Sequence, residues 1–201
     1  MAMESHAESG DEECSNRPAN EKDLRLLCRE FNTRGVRYVV VGGFAIVNAG
    51  YPRFTLDLDF LIETTPANEA AAIDALLTLP EKVAAELRPG DVNEYSVVRV
   101  SDEFMVDLMK SGCGVTYHDA IQDAVWRELD GVRIPFASKQ TLWKMKQTLR
   151  EKDIPDRLFL RQALEADGIP LDPAPSAKDD PLANCPSRLK RFLAWVFKRR
   201  D

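Results

Sequence analysis

The chain has few residues of the kinds that bind zinc or form disulfides. Its two histidines and four cysteines are scattered, and no two cysteines form a C-x-x-C pair. These residues are His6, His118, Cys14, Cys28, Cys113 and Cys185. Such spacing disfavours a structural zinc site and a disulfide framework. We therefore expect reduced thiols and a cytoplasmic location.

Long apolar runs are also missing. No stretch approaches the roughly 20 apolar residues that span a bilayer, so we expect no transmembrane segment. The stretch MAMESHAESGDEECS is acidic and polar, and we expect no signal peptide. The net charge of −6 argues against a protein that coats nucleic acid over its whole surface, although it leaves a local basic patch open.

What the chain does contain suits one globular domain with appendages. It has 201 residues, of which 44% are apolar, enough for a real core. We expect a disordered tail at 1–18, a core at 19–136, a helical part at 137–167, a proline-rich linker at 168–186 and a basic amphipathic helix at 187–201.

The hydrophobic pattern predicts an α/β fold, with a small mixed β-sheet flanked by helices and a helical C-terminal part. Asn20 is a helix cap, Pro66 and Pro155 are typical first-turn residues, and Asp130-Gly131 predicts a tight hairpin. The expected helices are 21–34, 43–48, 66–79, 80–88, 118–124, 139–152 and one from Pro155. The expected strands are 36–41, 56–62, 94–100, 104–109, 126–129 and 132–136.

Two carboxylates lie in the second predicted strand. Asp57 and Asp59 are separated by one residue, so alternation places both on one face, with Cα atoms about 6.5 Å apart. Leu56, Leu58 and Phe60 are expected to face the core. Carboxylates in a buried strand are costly unless they are neutralised. A shared Mg²⁺, or two metals about 3.5–4 Å apart, would neutralise them.

A third carboxylate, Asp107, stands alone in the apolar run FMVDLMK. In a two-metal site it would bind the metal that activates an attacking hydroxyl, and would help to deprotonate that hydroxyl. The alternative is that the aspartates cap turns or pair with Arg53 and Arg99.

Gly42 and Gly43 end one predicted strand and open a helix. Glycine lets the backbone approach a phosphate closely, and a helix N-terminus offers free N–H groups. Tight packing is the alternative explanation of the pair. Thr55 lies on the carboxylate face if the strand begins there, where it would bond a metal ligand or a phosphate. Arg53 would neutralise phosphate charge, or is a surface arginine.

Together these residues resemble the DNA polymerase β-type nucleotidyltransferase superfamily, whose pattern is a glycine pair, an Asp-x-Asp and a third strand carboxylate. The stretch GYPRFTLDLD is similar to minimal bacterial nucleotidyltransferases, including the AbiEii-type toxins of toxin–antitoxin systems. The resemblance covers roughly Val36 to Leu164. Many members carry serine after the first glycine; Gly43 matches the AbiEii-like branch, so phosphate binding would depend on backbone N–H groups.

The resemblance implies that 19–136 is a nucleotidyltransferase core. Such enzymes use Mg²⁺ and an NTP, ATP being one candidate, and transfer a nucleoside monophosphate to an acceptor hydroxyl with loss of pyrophosphate. The acceptor would be RNA or tRNA, a protein or a small molecule, and a toxin would have an antitoxin partner. The competing interpretation is a catalytically silent member used for binding or regulation.

Downstream charges extend this pattern. Lys146 and Arg150 are four residues apart and are expected to share a helix face near the triphosphate. AbiEii-like enzymes show a similar lysine followed by Lys-Asp-x-x-Asp, here Lys152, Asp153 and Asp156. The resemblance implies a phosphate contact for Lys146 and a structural or active-site role for Asp153. The alternative is a solvated helix with internal salt bridges.

The segment 187–201 combines basic residues with Phe192, Trp195 and Phe197. This composition suits RNA, an anionic membrane surface, a partner protein, or a helix that docks on the core. The sequence leaves these four interpretations open.

Overall fold

A six-stranded mixed β-sheet forms the centre of this computed structural model, which describes residues 16–171. The strands are β1 (Tyr38–Val40), β2 (Asp57–Ile62), β3 (Val97–Ser101), β4 (Met105–Met109), β5 (Ser111–Gly112), β6 (Val115–Thr116), β7 (Val125–Leu129) and β8 (Val132–Phe136). The sheet order is β3-β4-β2-β1-β8-β7, and β5 and β6 form a separate two-stranded ribbon. The pairs β2–β4 and β1–β8 are parallel, whereas β1–β2, β3–β4 and β7–β8 are antiparallel.

Seven helices accompany the strands within residues 16–171. They are α1 (Glu21–Thr33), α2 (Gly42–Asn48), α3 (Pro66–Leu76), α4 (Asp91–Tyr95), α5 (Tyr117–Ala120), α6 (Lys139–Met145) and α7 (Ile154–Ala166), with 3-10 turns at Val83–Glu86 and Glu151–Asp153. The α/β class with a small mixed sheet and C-terminal helices is confirmed. None of the helices in the described part has the length and apolarity to cross a membrane.

Local sequence signals explain most of these elements. Asn20 caps α1 by accepting from the backbone N–H groups of Lys22 and Asp23, and the Asp23 carboxylate accepts in return from the Asn20 N–H. Asp130 and Gly131 have φ values of 47° and 75°, as a type I′ turn between β7 and β8 requires. Both predictions are therefore confirmed.

The two faces of the sheet differ in chemistry. The rings of Phe31, Tyr38 and Phe60 pack together with centroids 5.0–5.8 Å apart, where α1 covers one face. Since side chains alternate along β2, Asp57 and Asp59 project from the opposite face, on which α2 contacts β2. Packing of the apolar face against α1 therefore fixes the strand that carries Asp57 and Asp59 on its other face.

Several expected boundaries are wrong. Leu56 was expected in the core, but β2 begins at Asp57 and Leu56 is 57% exposed. Glu94 and Tyr95 belong to α4 rather than to a strand. The helix expected at 80–88 is reduced to the 3-10 turn Val83–Glu86, because Lys82 has a left-handed φ of 52° that a right-handed helix cannot contain.

The helix expected at 139–152 is also shorter, because α6 ends at Met145 and Lys146 is its C-cap. Arg157 donates to the carbonyl oxygens of Lys146 and Thr148, at 3.1 and 2.6 Å, and so satisfies backbone acceptors that a longer helix would use. Lys146 and Arg150 therefore share no helix face. Three predictions fall on residues outside the described range: the disordered tail before residue 16, the linker beyond residue 171 and the basic helix at 187–201.

Candidate carboxylate site

Three aspartates meet on the face of the sheet opposite α1. One carboxylate oxygen from each of Asp57, Asp59 and Asp107 lies within 4.8 Å of the others. Parallel pairing of β2 with β4 causes this meeting, since it sets Asp59 directly opposite Asp107. The structure thus brings together all three carboxylates that the sequence singles out.

The surroundings of Asp59 disfavour its charged form. Burial and the neighbouring charges of Asp57 and Asp107 raise the pKa of Asp59 to about 7, although the charge of Lys146 and a hydrogen bond from the Gly43 N–H oppose this rise. The donor set consists of carboxylate oxygens, which are the ligands that Mg²⁺ prefers. The cluster therefore fits a divalent metal ion.

Arg99 pairs with one member of the cluster. Its Nε and Nη2 donate to Oδ1 and Oδ2 of Asp107 at 2.7 and 2.6 Å, and Nη2 lies 3.9 Å from Oδ2 of Asp57. Antiparallel pairing of β3 with β4 places Arg99 of β3 directly opposite Asp107 of β4. The ion pairing expected as an alternative therefore occurs for Asp107, and more distantly for Asp57.

The glycine pair lies against the same cluster. Gly42 has a φ of +59°, and a Cβ there would be 1.8 Å from Oδ2 of Asp59. A Cβ on Gly43 would be 2.1 Å from Oγ1 of Thr55. Both positions must stay free of a side chain so that Asp59 and Thr55 can lie against the start of α2. Both glycines therefore have a packing role in this structure, and their role in phosphate binding stays a prediction.

Thr55 and Arg53 flank the glycines. Thr55 Oγ1 is 3.4 Å from Oδ1 of Asp57, so the hydroxyl is beside a cluster carboxylate. Arg53 Nη1 donates to Oδ2 of Asp156 at 2.6 Å, and not to the cluster. A Cβ on Gly43 would nevertheless be only 3.2 Å from Arg53 Nη2, which places the guanidinium next to the glycine pair.

Lys146 completes the charged surroundings. Its Nζ lies 2.8 Å from Oδ1 of Asp153 and 2.9 Å from Oδ2 of Asp156, and the side chains of both acids are 1% exposed. Because Arg53 also binds Asp156, this network joins the segment before β2 to the start of α7. Asp153 and Asp156, the two acids of the Lys-Asp-x-x-Asp element, thus contact Lys146. Lys152, the lysine of that element, takes no part in these contacts.

Arg157 makes contacts near the site that the sequence did not predict. Arg99 is expected from the sequence as an alternative partner of the aspartates, but its specific pairing with Asp107 follows from the register of the β3–β4 hairpin, which the sequence leaves undefined. Arg157 acts through backbone carbonyls, and no spacing rule indicates such a contact.

No protein-family profile matches the chain, and the curated proteins give no match. Among solved structures, the chain is similar to the lincosamide antibiotic adenylyltransferase LnuA with lincomycin bound, at a TM-score of 0.42 and 15% identity over 74% of this chain and 99% of that chain. It is also similar to an antigenic nucleotidyltransferase-like protein from Paracoccidioides brasiliensis, at a TM-score of 0.44 and 17% identity over 90% of this chain and 94% of that chain.

Proposed function

We propose that the protein is a Mg²⁺-dependent nucleotidyltransferase that moves a nucleoside monophosphate from an NTP to an acceptor hydroxyl. The observation that carries the proposal is the convergence of Asp57, Asp59 and Asp107 on one face of the sheet, with oxygen atoms within 4.8 Å of one another. Carboxylates this close repel one another, and Arg99 pairs closely with Asp107 alone, so a bound cation would offset the remaining repulsion.

Asp57 and Asp59 would hold the metal that accompanies the triphosphate, and Asp107 would join them near the acceptor. Bound Mg²⁺ would neutralise phosphate charge and increase the acidity of the acceptor hydroxyl. Asp107 would accept a hydrogen bond from that hydroxyl and orient it towards the α-phosphorus.

Basic groups next to the cluster would bind the outer phosphates. Arg53 lies next to the glycine pair and shares the Asp156 carboxylate with Lys146. Both cations are thereby oriented before a nucleotide arrives, so little side-chain entropy would be lost on binding. Gly42 and Gly43 would let the triphosphate approach the backbone, and Thr55 would hold the Asp57 side chain.

The acceptor is a separate part of the proposal. RNA or tRNA, a protein hydroxyl and a small molecule are the candidates, and a toxin role would add an antitoxin as partner. If the protein is such a toxin, its expression should arrest growth and Asp57→Ala should abolish the arrest.

The decisive experiment supplies donor and acceptors together. Purified protein is incubated with Mg²⁺, each α-labelled NTP in turn, and extracts containing total RNA, protein and metabolites. We expect one NTP to label one class of acceptor, and Asp59→Ala to abolish the labelling. Asp74→Asn, on the exposed side of α3, is the matched control and should label normally. Equal labelling by Asp59→Ala would contradict the proposal.

A silent, nucleotide-binding form of the same fold is the second candidate, and the Arg99–Asp107 ion pair favours it because this pair already neutralises one carboxylate. Thermal unfolding with ATP, CTP, GTP and UTP, each with and without Mg²⁺, separates the two. Metal-dependent stabilisation by one NTP together with transfer supports the enzyme. Stabilisation without any transfer supports the silent form.

A further inference from the structure

A row of charged side chains crosses three neighbouring strands. Arg99 on β3 faces Asp107 on β4, and Asp107 faces Asp59 on β2. The guanidinium bonds both oxygens of Asp107, whose side chain is 8% exposed, while Arg99 itself is 46% exposed. The positive charge thus reaches the cluster from the edge of the sheet.

This contact differs from an ordinary surface salt bridge in two respects. It is bidentate, so it fixes the orientation of the carboxylate as well as its charge. It also joins two directly paired residues of a hairpin, so neither partner has to be drawn from a flexible loop. Asp107 is therefore held in one orientation before any ligand arrives.

The same contact affects which carboxylates are open to a metal ion. The guanidinium takes one acceptor site on each oxygen of Asp107, and its Nη2 lies 3.9 Å from Oδ2 of Asp57. An ion bound to Asp107 would have to sit close to this positive charge, and the two would repel each other. Asp59 makes no such bidentate contact with Arg99, and the charge of Lys146 acts on it.

We propose that Arg99 is a positioning residue that holds Asp107 and weakens divalent-ion binding at Asp107 in the nucleotide-free protein. The first ion is then held by Asp57 and Asp59. The inference rests on the metal role in the proposed function. It adds that a second divalent ion, bound at Asp107, would be repelled by the positive charge of Arg99.

Binding of Mn²⁺ to the nucleotide-free full-length protein at pH 8 tests this, with free Mn²⁺ measured by electron paramagnetic resonance. Arg99→Gln removes the charge and keeps a hydrogen-bond donor, so we expect roughly tenfold tighter binding or a second bound ion. Arg99→Lys keeps the charge and loses the bidentate fork, so its affinity should stay close to that of the wild type. Arg127→Gln, on the opposite edge strand β7, is the control for loss of one positive charge.

A second comparison keeps the test informative if Arg99→Gln folds poorly. Because Arg99 already restrains Asp107, Asp107→Asn should change Mn²⁺ affinity much less than Asp59→Asn does. Equal losses for these two variants, or Mn²⁺ affinity in Arg99→Gln no higher than in the wild type, would overturn the inference while leaving the metal site intact. A wild-type protein whose Mn²⁺ binding is absent or insensitive to Asp59→Asn would overturn the inference and the proposed metal role together.

Discussion

The constraint on the first glycine shows how single residues define the site. Gly42 has a left-handed φ of +59°, and its missing side chain leaves room for the Asp59 carboxylate. Gly35 also has a left-handed φ, of +69°, but no atom lies within 4 Å of where its Cβ would be. A side chain at Gly35 would therefore cause backbone strain only, whereas a side chain at Gly42 would cause strain and also overlap Asp59.

Replacing each glycine with alanine uses this difference. Gly35→Ala should lower the free energy of unfolding by about 1 kcal/mol through strain alone. Gly42→Ala should lower it by about 3 kcal/mol or more, because Asp59 must also move. Urea denaturation measures both. Mn²⁺ binding should be lost only in Gly42→Ala, and normal binding by that variant would contradict the close packing of Asp59.

Asp153 gives a pH-dependent prediction. Burial would raise the pKa of Asp153, but hydrogen bonds from Lys146 and Thr148 outweigh burial and hold it below the ordinary value. A carboxyl whose pKa is lower in the folded state stabilises the protein above the unfolded-state pKa, and this stability disappears as the pH falls through the folded-state pKa.

We therefore expect Asp153→Asn to lower the free energy of unfolding by about 2 kcal/mol at pH 7. The difference from the wild type should shrink below pH 4, where the carboxyl becomes protonated in the unfolded chain. Urea denaturation between pH 3 and pH 7 measures this. Asp167→Asn, whose partner Lys139 is partly exposed, is a control that should change little. A constant difference across the pH range would contradict the assignment.

At the scale of elements, the end of α6 decides where Lys146 lies. The helix stops at Met145, and the turn that follows is held by Arg157 from α7 through the carbonyls of Lys146 and Thr148. Lys146 therefore lies at the C-cap rather than inside a helix. Its position depends on the contact between Arg157 of α7 and the turn that follows α6.

Arg157→Ala should consequently loosen the turn at 146–153. We expect faster amide hydrogen exchange there and about 1–2 kcal/mol lower free energy of unfolding, since two backbone acceptors lose their donor. Hydrogen exchange read by mass spectrometry measures the first effect. Arg161→Ala, on an exposed position of α7, should leave exchange in the turn unchanged. Equal protection in the two variants would show that Arg157 does not hold the turn.

These elements also show what the sequence predicts well. The capped helix α1, the Asp130-Gly131 hairpin and the strand alternation at Asp57 and Asp59 depend on local signals, and they are confirmed. The end of α6 and the pairing of Arg99 with Asp107 depend on residues that meet only after folding. Local patterns do not define such contacts, so the carboxylates and candidate cations were predictable, whereas the specific pairing of Arg99 with Asp107 and the role of Arg157 were not.

At the scale of the whole described structure, the sheet and the C-terminal helices share one hydrophobic core. Leu142 of α6 and Leu160 of α7 are buried in the same cluster as Phe60 and Phe136. The helix that Lys146 caps and the helix that carries Asp156 are thus packed on the sheet that carries the aspartates. We expect residues 16–171 to unfold as a single unit.

Leu160→Ala tests this expectation. It should lower the free energy of unfolding by about 2–5 kcal/mol and keep a single transition when circular dichroism and tryptophan fluorescence are compared. Leu158→Ala, at a position 53% exposed on the same helix, should change it by less than about 0.5 kcal/mol. Two separate transitions would show that α6 and α7 form an independent unit.

The alignment of β2 with β4 has a kinetic consequence. Asp59 meets Asp107 only when two strands distant in the sequence have paired in the correct register, and a slip of one residue would put Val106 or Leu108 there instead. Such long-range pairing is slow to form. If the carboxylates gather after the main folding barrier, a bound divalent ion should leave the folding rate almost unchanged and slow unfolding. The ion would then extend the lifetime of the folded protein.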